Sequence, residues 1–356
     1  MKFREDRFMR LRRSLDKALR AEWPQLERVK KRLTTLRLVS FSAKAPALLP
    51  IGTVATDGGE NRLNLAPIRV QVLRVADSLG RVHFEEFIPL SPEPTHVLRD
   101  VSQENRSFGT VLECLGLAWE DLLPQSDFQR GNLLSMLREL MEWGALLELA
   151  SEPPPRLLIR DGLLRSVLLN EKVFRRVKER LMDFSAKHGH LVTGVAKRSQ
   201  VINYLSVALN LNRTFAEGKA GWTAIPPELE REAAPAQYRW IGDRAMGSLH
   251  VARLDAGVNV PLFPVDVAIW QRQRVDEAMS VLHETARGSF PLRGYPMALS
   301  QAHEHARLGS LEINLLESLL LETIGRRNPA IAREIQNLRM LGRELIEEAH
   351  EPDPKI

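Results

Sequence analysis

The sequence predicts an α/β protein: a mixed β-sheet core flanked by helices, with helical extensions at both ends. Three observations predict it. Apolar, β-branched runs bounded by Gly and Pro fall at 48–59, 63–77, 81–90 and 156–161, the pattern of buried strands. Stretches with apolar residues three and four apart lie between and after them, the pattern of helices packed on one face. The order is three strands joined by short turns, then helix, strand, helix and strand, which a mixed sheet accommodates.

Residues 1–38 read as one amphipathic helix, with Phe8, Leu11, Leu15, Leu19 and Trp23 on one stripe and Pro24 as a kink. The three strands form a meander, with Gly58-Gly59 and Leu79-Gly80 as its turns. Helices are expected at 103–123 and 127–150, the second with a stripe of Leu133, Met136, Leu137, Leu140 and Leu147. "PPP" (Pro153 to Pro155) precedes the strand ending at Asp161, and an Arg- and Lys-rich helix follows near 170–188. "HLVTGVAKRS" (190–199) reads as a strand leading into a helix near 199–211. Residues 212–235 read as a polar, proline-bearing loop, 236–242 and 248–255 as strands, and 265–287 as a long helix. A Gly/Pro-rich loop at 288–297 then opens a helical region, 297–349. The domain division that follows is a basic N-terminal helical extension (1–45), a core domain (46–306) and a C-terminal helical region (307–356).

The chain has 356 residues, 44% of them hydrophobic and 27% charged, enough for a large core and far from a disordered composition. A single cysteine, Cys114, excludes an intramolecular disulfide framework and a thiolate metal cluster, so the reducing cytoplasm is the expected location. The first residues lack a signal-peptide core, and no apolar run has the length to cross a bilayer. The net charge is +5, and residues 1–37 hold thirteen Lys and Arg against five Asp and Glu. That bias suits a polyanion such as nucleic acid; a basic solvated helix face explains it equally well.

Two apolar runs end alike. "LLPIGTVATDGG" (48–59) finishes in Asp57-Gly58-Gly59 and "RLLIRDGLLRS" (156–166) passes through Asp161-Gly162. Either Asp-Gly is readable as a turn. Two on neighbouring strands place two carboxylates at one sheet edge, where hard divalent cations find oxygen ligands. The first and fourth strands of this order can lie side by side, the arrangement of ribonuclease H-like folds. A third acid is available on the helix 127–150: Glu142, at the margin of its packed face, with Glu139 as the alternative. In "RGYPMALSQAHEHARLGSLE" (293–312), His303 and His305 are two apart and cannot share a helical face. One of them completes a carboxylate site; the other reads as a surface residue and a silent control for mutation.

Taken in order, Asp57 in "ATDGG", Glu142 in "RELMEWGAL", Asp161 in "LIRDGLL", Lys197 in "GVAKRS", and Tyr295 and His303 in "GYPMALSQAH" resemble the signature of the NurA nucleases. The resemblance spans about residues 50–306. It implies an RNase H-like core, a homodimer and manganese-dependent cleavage of DNA, as a 5′ to 3′ exonuclease and a single-strand endonuclease. It also implies work with the hexameric HerA ATPase on DNA ends during repair. On that basis Asp57, Glu142, Asp161 and His303 are the catalytic, metal-holding residues. Their imidazole nitrogen favours Mn²⁺ over Mg²⁺, the weaker alternative. Lys197 and Tyr295 are then DNA-binding, the lysine as a phosphate clamp and the tyrosine by stacking or hydrogen bonding.

The resemblance has departures. The family's aspartates are usually followed by Gly-Ser, whereas Gly59 and Leu163 stand in the serine positions here. That leaves open an alternative of another class, an inactive RNase H-like module that binds DNA or docks the motor. Retention of all the acids and the histidine argues against it, since clustered charge is costly without a use. "EGKAGWT" (217–223) lacks the spacing and hydroxyl of a P-loop. ATP hydrolysis is therefore expected only of a partner.

Overall fold

The computed structural model describes residues 2–41, 51–65, 68–90, 93–197, 203–215, 218–234, 244–257 and 259–348. Its strands are β1 (Val39–Ser40), β2 (Gly52–Leu65), β3 (Ile68–Asp77), β4 (Val82–Pro89), β5 (Arg156–Asp161), β6 (Leu191–Val195), β7 (Gly221–Ala224), β8 (Gly247–Arg253) and β9 (Phe263–Ala268). They form one nine-stranded sheet in the order β1-β7-β8-β9-β6-β5-β2-β3-β4. The pairs β2–β5 and β5–β6 are parallel and the others antiparallel. The sheet is therefore mixed, and the fold α/β.

The parallel centre follows from composition. Leu157, Leu158 and Ile159 of β5 are fully buried on both faces, which only a strand covered by helices on each side can achieve. One face is covered by α5 (Leu133–Ala150) and α6 (Glu171–His188), through Leu137, Leu140, Trp143 and Phe174. The other is covered by α9 (Val275–Ala286) and α10 (Met297–Ala306), through Leu282, Leu299 and Ala302. A third cluster joins α7 (Asn203–Leu211) and α8 (Pro227–Ala233) to Val29 and Leu33, near the end of α1 (Lys2–Leu33). The remaining helices are α2 (Pro94–Glu104), α3 (Arg106–Leu115), α4 (Asp127–Gly131), α11 (Ser310–Arg327) and α12 (Pro329–Glu348). No helix among the described residues is long and apolar enough to cross a membrane.

Several expectations are corrected. Gly58-Gly59 is not a turn: β2 runs straight through both residues, paired with Val75 and Arg74. The helix expected at 103–123 is broken into α2, α3 and a 3-10 turn at Trp119–Leu122. Asn105 makes the first break, because its side chain accepts from Phe108 N–H and caps α3. Residues 212–235 are not loop throughout, since they contain β7 and α8. Residues 263–268 form β9, fully buried between β6 and β8, and a regular α-helix begins only at Val275. The helix expected from 265 mistook a buried strand for a helical stripe, which an apolar run permits. α1 continues through Pro24 and stops at Leu33, short of residue 38. Its stripe of Phe8, Leu11, Leu15, Leu19 and Trp23 is exposed. The strand expected at 236–242 lies outside the described residues.

Candidate active site

β2 and β5 run parallel with Thr56 opposite Arg160, so Asp57 and Asp161 project next to one another from the same face. Strand alternation fixes which face that is. Ala55 and Ile159 belong to the core under α9 and α10, whereas Val54 and Leu158 belong to the core under α5. Asp57 and Asp161 therefore face α10. That helix lays Ala298, Leu299, Ala302 and Ala306 against the sheet, and these mostly small residues let it come close. Its last turn carries His303, whose Nδ1 lies 2.7 Å from Asp57 Oδ2.

Asp57, Asp161 and His303 each offer a ligand atom, and these atoms all lie within 4.8 Å of one another. Two carboxylates and an imidazole suit a divalent cation of intermediate hardness. Gly58 N–H donates to Asp57 Oδ1 at 2.7 Å, which orients that carboxylate. The Tyr295 hydroxyl donates to Asp161 Oδ1 at 3.3 Å, and Lys197 Nζ lies 3.9 Å from Asp161 Oδ2. Burial and the neighbouring Asp57 charge push the Asp161 carboxyl up to about 6, against the pull of Lys197 and the Tyr295 hydroxyl. Burial, with Asp161 and Asp57 beside it, raises the Tyr295 hydroxyl too, so it stays a donor.

A pH dependence follows. Below about pH 6 Asp161 holds a proton that a cation must displace. Mn²⁺ affinity is expected to rise roughly tenfold per pH unit up to that point and then level off. In the metal-free protein the raised carboxyl makes folding less favourable as pH climbs from the ordinary carboxyl value to about 6, since the folded state holds the proton longer. The gain in melting temperature on adding Mn²⁺ is therefore expected to be larger at pH 8 than at pH 5. Calorimetric Mn²⁺ titrations and thermal scans across that range check both, and affinity independent of pH would remove Asp161 from the ligand set.

Glu142 sits elsewhere. It lies on the α5 side of the sheet, against Gly58, where any Cβ would collide with its carboxylate. Arg160 Nη2 donates to Glu142 Oε2 at 2.9 Å. Burial, opposed by Arg160 and Arg138 and aided by the nearby Asp57 and Glu139 charges, pushes its carboxyl up to about 7. Glu139, the alternative, accepts from Trp143 Nε1 and Ser166 Oγ and is bound into the core. Neither belongs to the three-donor group. Arg160, which stacks its guanidinium 4.4 Å above the Trp143 ring, was missed by the sequence reading. A charge inside "LLIRDG" had to find a buried acid, and that was the available signal.

Tyr295 is 1% exposed and packs on Phe263, so its ring is closed to a nucleic-acid base. Its hydroxyl serves Asp161 instead, and Lys197 Nζ lies 5.0 Å from the ring centroid. His305 is no bystander: its Nδ1 lies 2.9 Å from the Asp77 carbonyl oxygen, tying the end of α10 to the β3–β4 turn. The glycine at 59 also has a cause. A Cβ there would collide with the Ala306 carbonyl, so a serine has no room where α10 passes this close.

The fold and the site define an α/β protein whose sheet carries a two-carboxylate, one-histidine centre of the kind that holds a divalent cation. The chain belongs to the NurA domain family, whose model matches residues 52–237. That span includes Asp57, Glu142, Asp161 and Lys197 and ends before Tyr295 and His303. The crystal structure of the NurA nuclease from Sulfolobus solfataricus is similar over 92% of this chain and 98% of its own, at 14% identity and a TM-score of 0.50. A crystal structure of NurA bound to dAMP and manganese overlaps 84% of this chain and 94% of its own, at 12% identity and a TM-score of 0.37. A comparison with curated proteins finds no match.

Proposed function

We propose that this chain is a metal-dependent DNA nuclease with an RNase H-like core. The observation that carries the reading is the convergence of Asp57, Asp161 and His303, from two parallel strands and a helix, within 4.8 Å. Family membership supports the same chemistry. Asp57, Asp161 and His303 would hold the cation, with Mn²⁺ preferred because one donor is a nitrogen. Bound there, it would polarise a phosphodiester and lower the pKa of an attacking water.

The protein's own groups do the rest. Tyr295 holds Asp161 in position by its hydroxyl, and Lys197, with its side chain 36% exposed, would meet a phosphate. Glu142 stands behind Gly58, engages Arg160 and lies near enough to Asp57 to feel its charge, and it would serve as the third carboxylate of the centre. His303, 2.7 Å from Asp57, would serve as a further ligand or as a proton carrier.

The wider reading keeps a 46–306 nuclease domain between a basic N-terminal helix and a C-terminal helical region. It includes 5′ to 3′ exonuclease and single-strand endonuclease activity on DNA ends, in the cytoplasm, with a HerA-type ATPase as motor. The exposed α1 stripe supports self-association as a homodimer, since contiguous apolar surface marks contact sites.

The test is cleavage of labelled single-stranded DNA by the purified protein across a Mn²⁺ titration, without ATP. Metal-dependent products are expected. Their absence with Mn²⁺ and with Mg²⁺ would favour the inactive docking subunit.

A further inference from the structure

With Tyr295 buried, the site has no aromatic surface from that residue for a base, yet an aromatic stands exposed five residues earlier. Phe290 is 79% exposed, more than any other aromatic among the described residues. We propose that Phe290 is a stacking platform for a base of single-stranded DNA entering the Asp57–Asp161–His303 centre. This rests on the nuclease reading above.

The loop that carries Phe290 is built, not slack. Asp255, 4% exposed, accepts from Gly288 N–H at 3.0 Å and from Arg293 Nε at 3.0 Å. Ser289 Oγ lies 2.8 Å from Ala286 O and 3.0 Å from Leu292 O, and Tyr295 N–H donates to Leu292 O at 3.1 Å. The fixed backbone holds the phenyl ring in water, an arrangement that costs apolar hydration unless something covers it. A preorganised aromatic loses little freedom when a ligand stacks on it.

The sheet places this loop at the catalytic edge. Asp255 follows β8, which turns back into β9 with Ala252 opposite Phe263. β9 then pairs Val265 with Val195 of β6, and Val195 pairs with Asp161. The Asp255 loop and Asp161 therefore lie at one end of neighbouring strands. Five residues separate Phe290 from Tyr295, a span of at most about 17 Å, and the Tyr295 hydroxyl touches Asp161. The ring is thus within a few nucleotides of the reacting phosphate.

Charge favours nucleic acid over a protein partner. Arg287, three residues before Phe290, is exposed and pairs only at 3.7 Å with Glu284 on its own helix end, and Lys197 lies 5.0 Å from the Tyr295 ring centroid at the site itself, so the loop and the centre it leads to both carry cations. Stacking on an aromatic face is tolerant of sequence because every base has such a face.

The experiment measures binding of a fluorescent single strand, with Ca²⁺ replacing Mn²⁺ to suppress cleavage. Phe290→Ala is expected to weaken binding about tenfold, and Phe290→Trp to preserve it. Strands with one abasic site are scanned in parallel. At one position the abasic site should weaken the native protein as much as Phe290→Ala does, and cause no further loss in the variant. Mn²⁺ binding measured by calorimetry should be unchanged in Phe290→Ala, since the substitution leaves the Asp57–Asp161–His303 donors in place.

Unaltered DNA affinity in Phe290→Ala would overturn the proposal, as would equal losses at every abasic position. A variant that changes only self-association in sedimentation would make the ring a protein contact and also overturn it. Failure of the native protein to hydrolyse any phosphodiester would instead sink the nuclease reading, while the binding comparison would still decide the role of Phe290.

Discussion

Asp57→Asn and Asp161→Asn are each expected to abolish Mn²⁺-dependent cleavage, by on the order of 10²–10³-fold or more. Each removes one negative charge at nearly constant volume from a three-donor group within 4.8 Å. The fold should survive. The amide oxygen of an asparagine at 161 still accepts the Tyr295 hydroxyl, and the burial cost and Asp57 repulsion that push the Asp161 carboxyl up to about 6 disappear with its charge. Melting temperatures without metal should therefore hold or rise, while Mn²⁺ binding by calorimetry falls. Single-strand binding should also hold or tighten, because less negative charge faces the phosphates. Cleavage at the native rate in either variant would remove that carboxylate from the mechanism. A collapse of stability in parallel with activity would show a structural role instead.

The second large effect concerns stability. Arg165→Met is expected to cost about 3–5 kcal/mol, because it leaves a buried charge without its partner. Asp266 is 0% exposed on β9. It accepts from Arg165 Nε and Nη2, each at 2.7 Å, and from Leu164 N–H at 3.0 Å. Arg165 also contacts Glu230 on α8. This network pins the segment after Asp161 to β9, so its loss should loosen the strand end that carries the carboxylate. Urea denaturation measures the cost, and the double variant Arg165→Met with Asp266→Leu should recover part of it, since an apolar pair replaces the Arg165–Asp266 ion pair while Glu230 and Leu164 N–H still lose their partners. A single variant as stable as the native protein would show that water or another cation reaches Asp266.

Much of this was legible in the residues themselves. Apolar period and β-branched runs located β2 to β6, and the order of elements put Asp57 beside Asp161. Those signals are local: a side chain's period along its own strand or helix is written in its neighbours. The misreadings around the site share one physical cause. Gly58-Gly59 has the composition of a turn, but β2 needs both glycines because Glu142 presses on one face and the Ala306 carbonyl on the other. Nothing within several residues of position 58 announces either contact.

Glu142 has the right spacing to border the sheet, and strand alternation sets it against Gly58 and Arg160 on the α5 face, within reach of the Asp57 charge but outside the Asp57–Asp161–His303 donor group. Tyr295 and Phe290 look equally available as aromatic residues in one loop; only packing on Phe263 and anchoring by Asp255 buries the first and exposes the second. His305, read as idle because it is two residues from His303, holds the end of α10 to Asp77. The sequence alone thus determined the strands that end in Asp57 and Asp161 and that these two carboxylates share an edge, because those follow from short-range pattern and element order. Which face each group meets, and how closely another backbone approaches it, was decided by tertiary structure, because those depend on partners up to 250 residues away in the chain and less than 4 Å away in space.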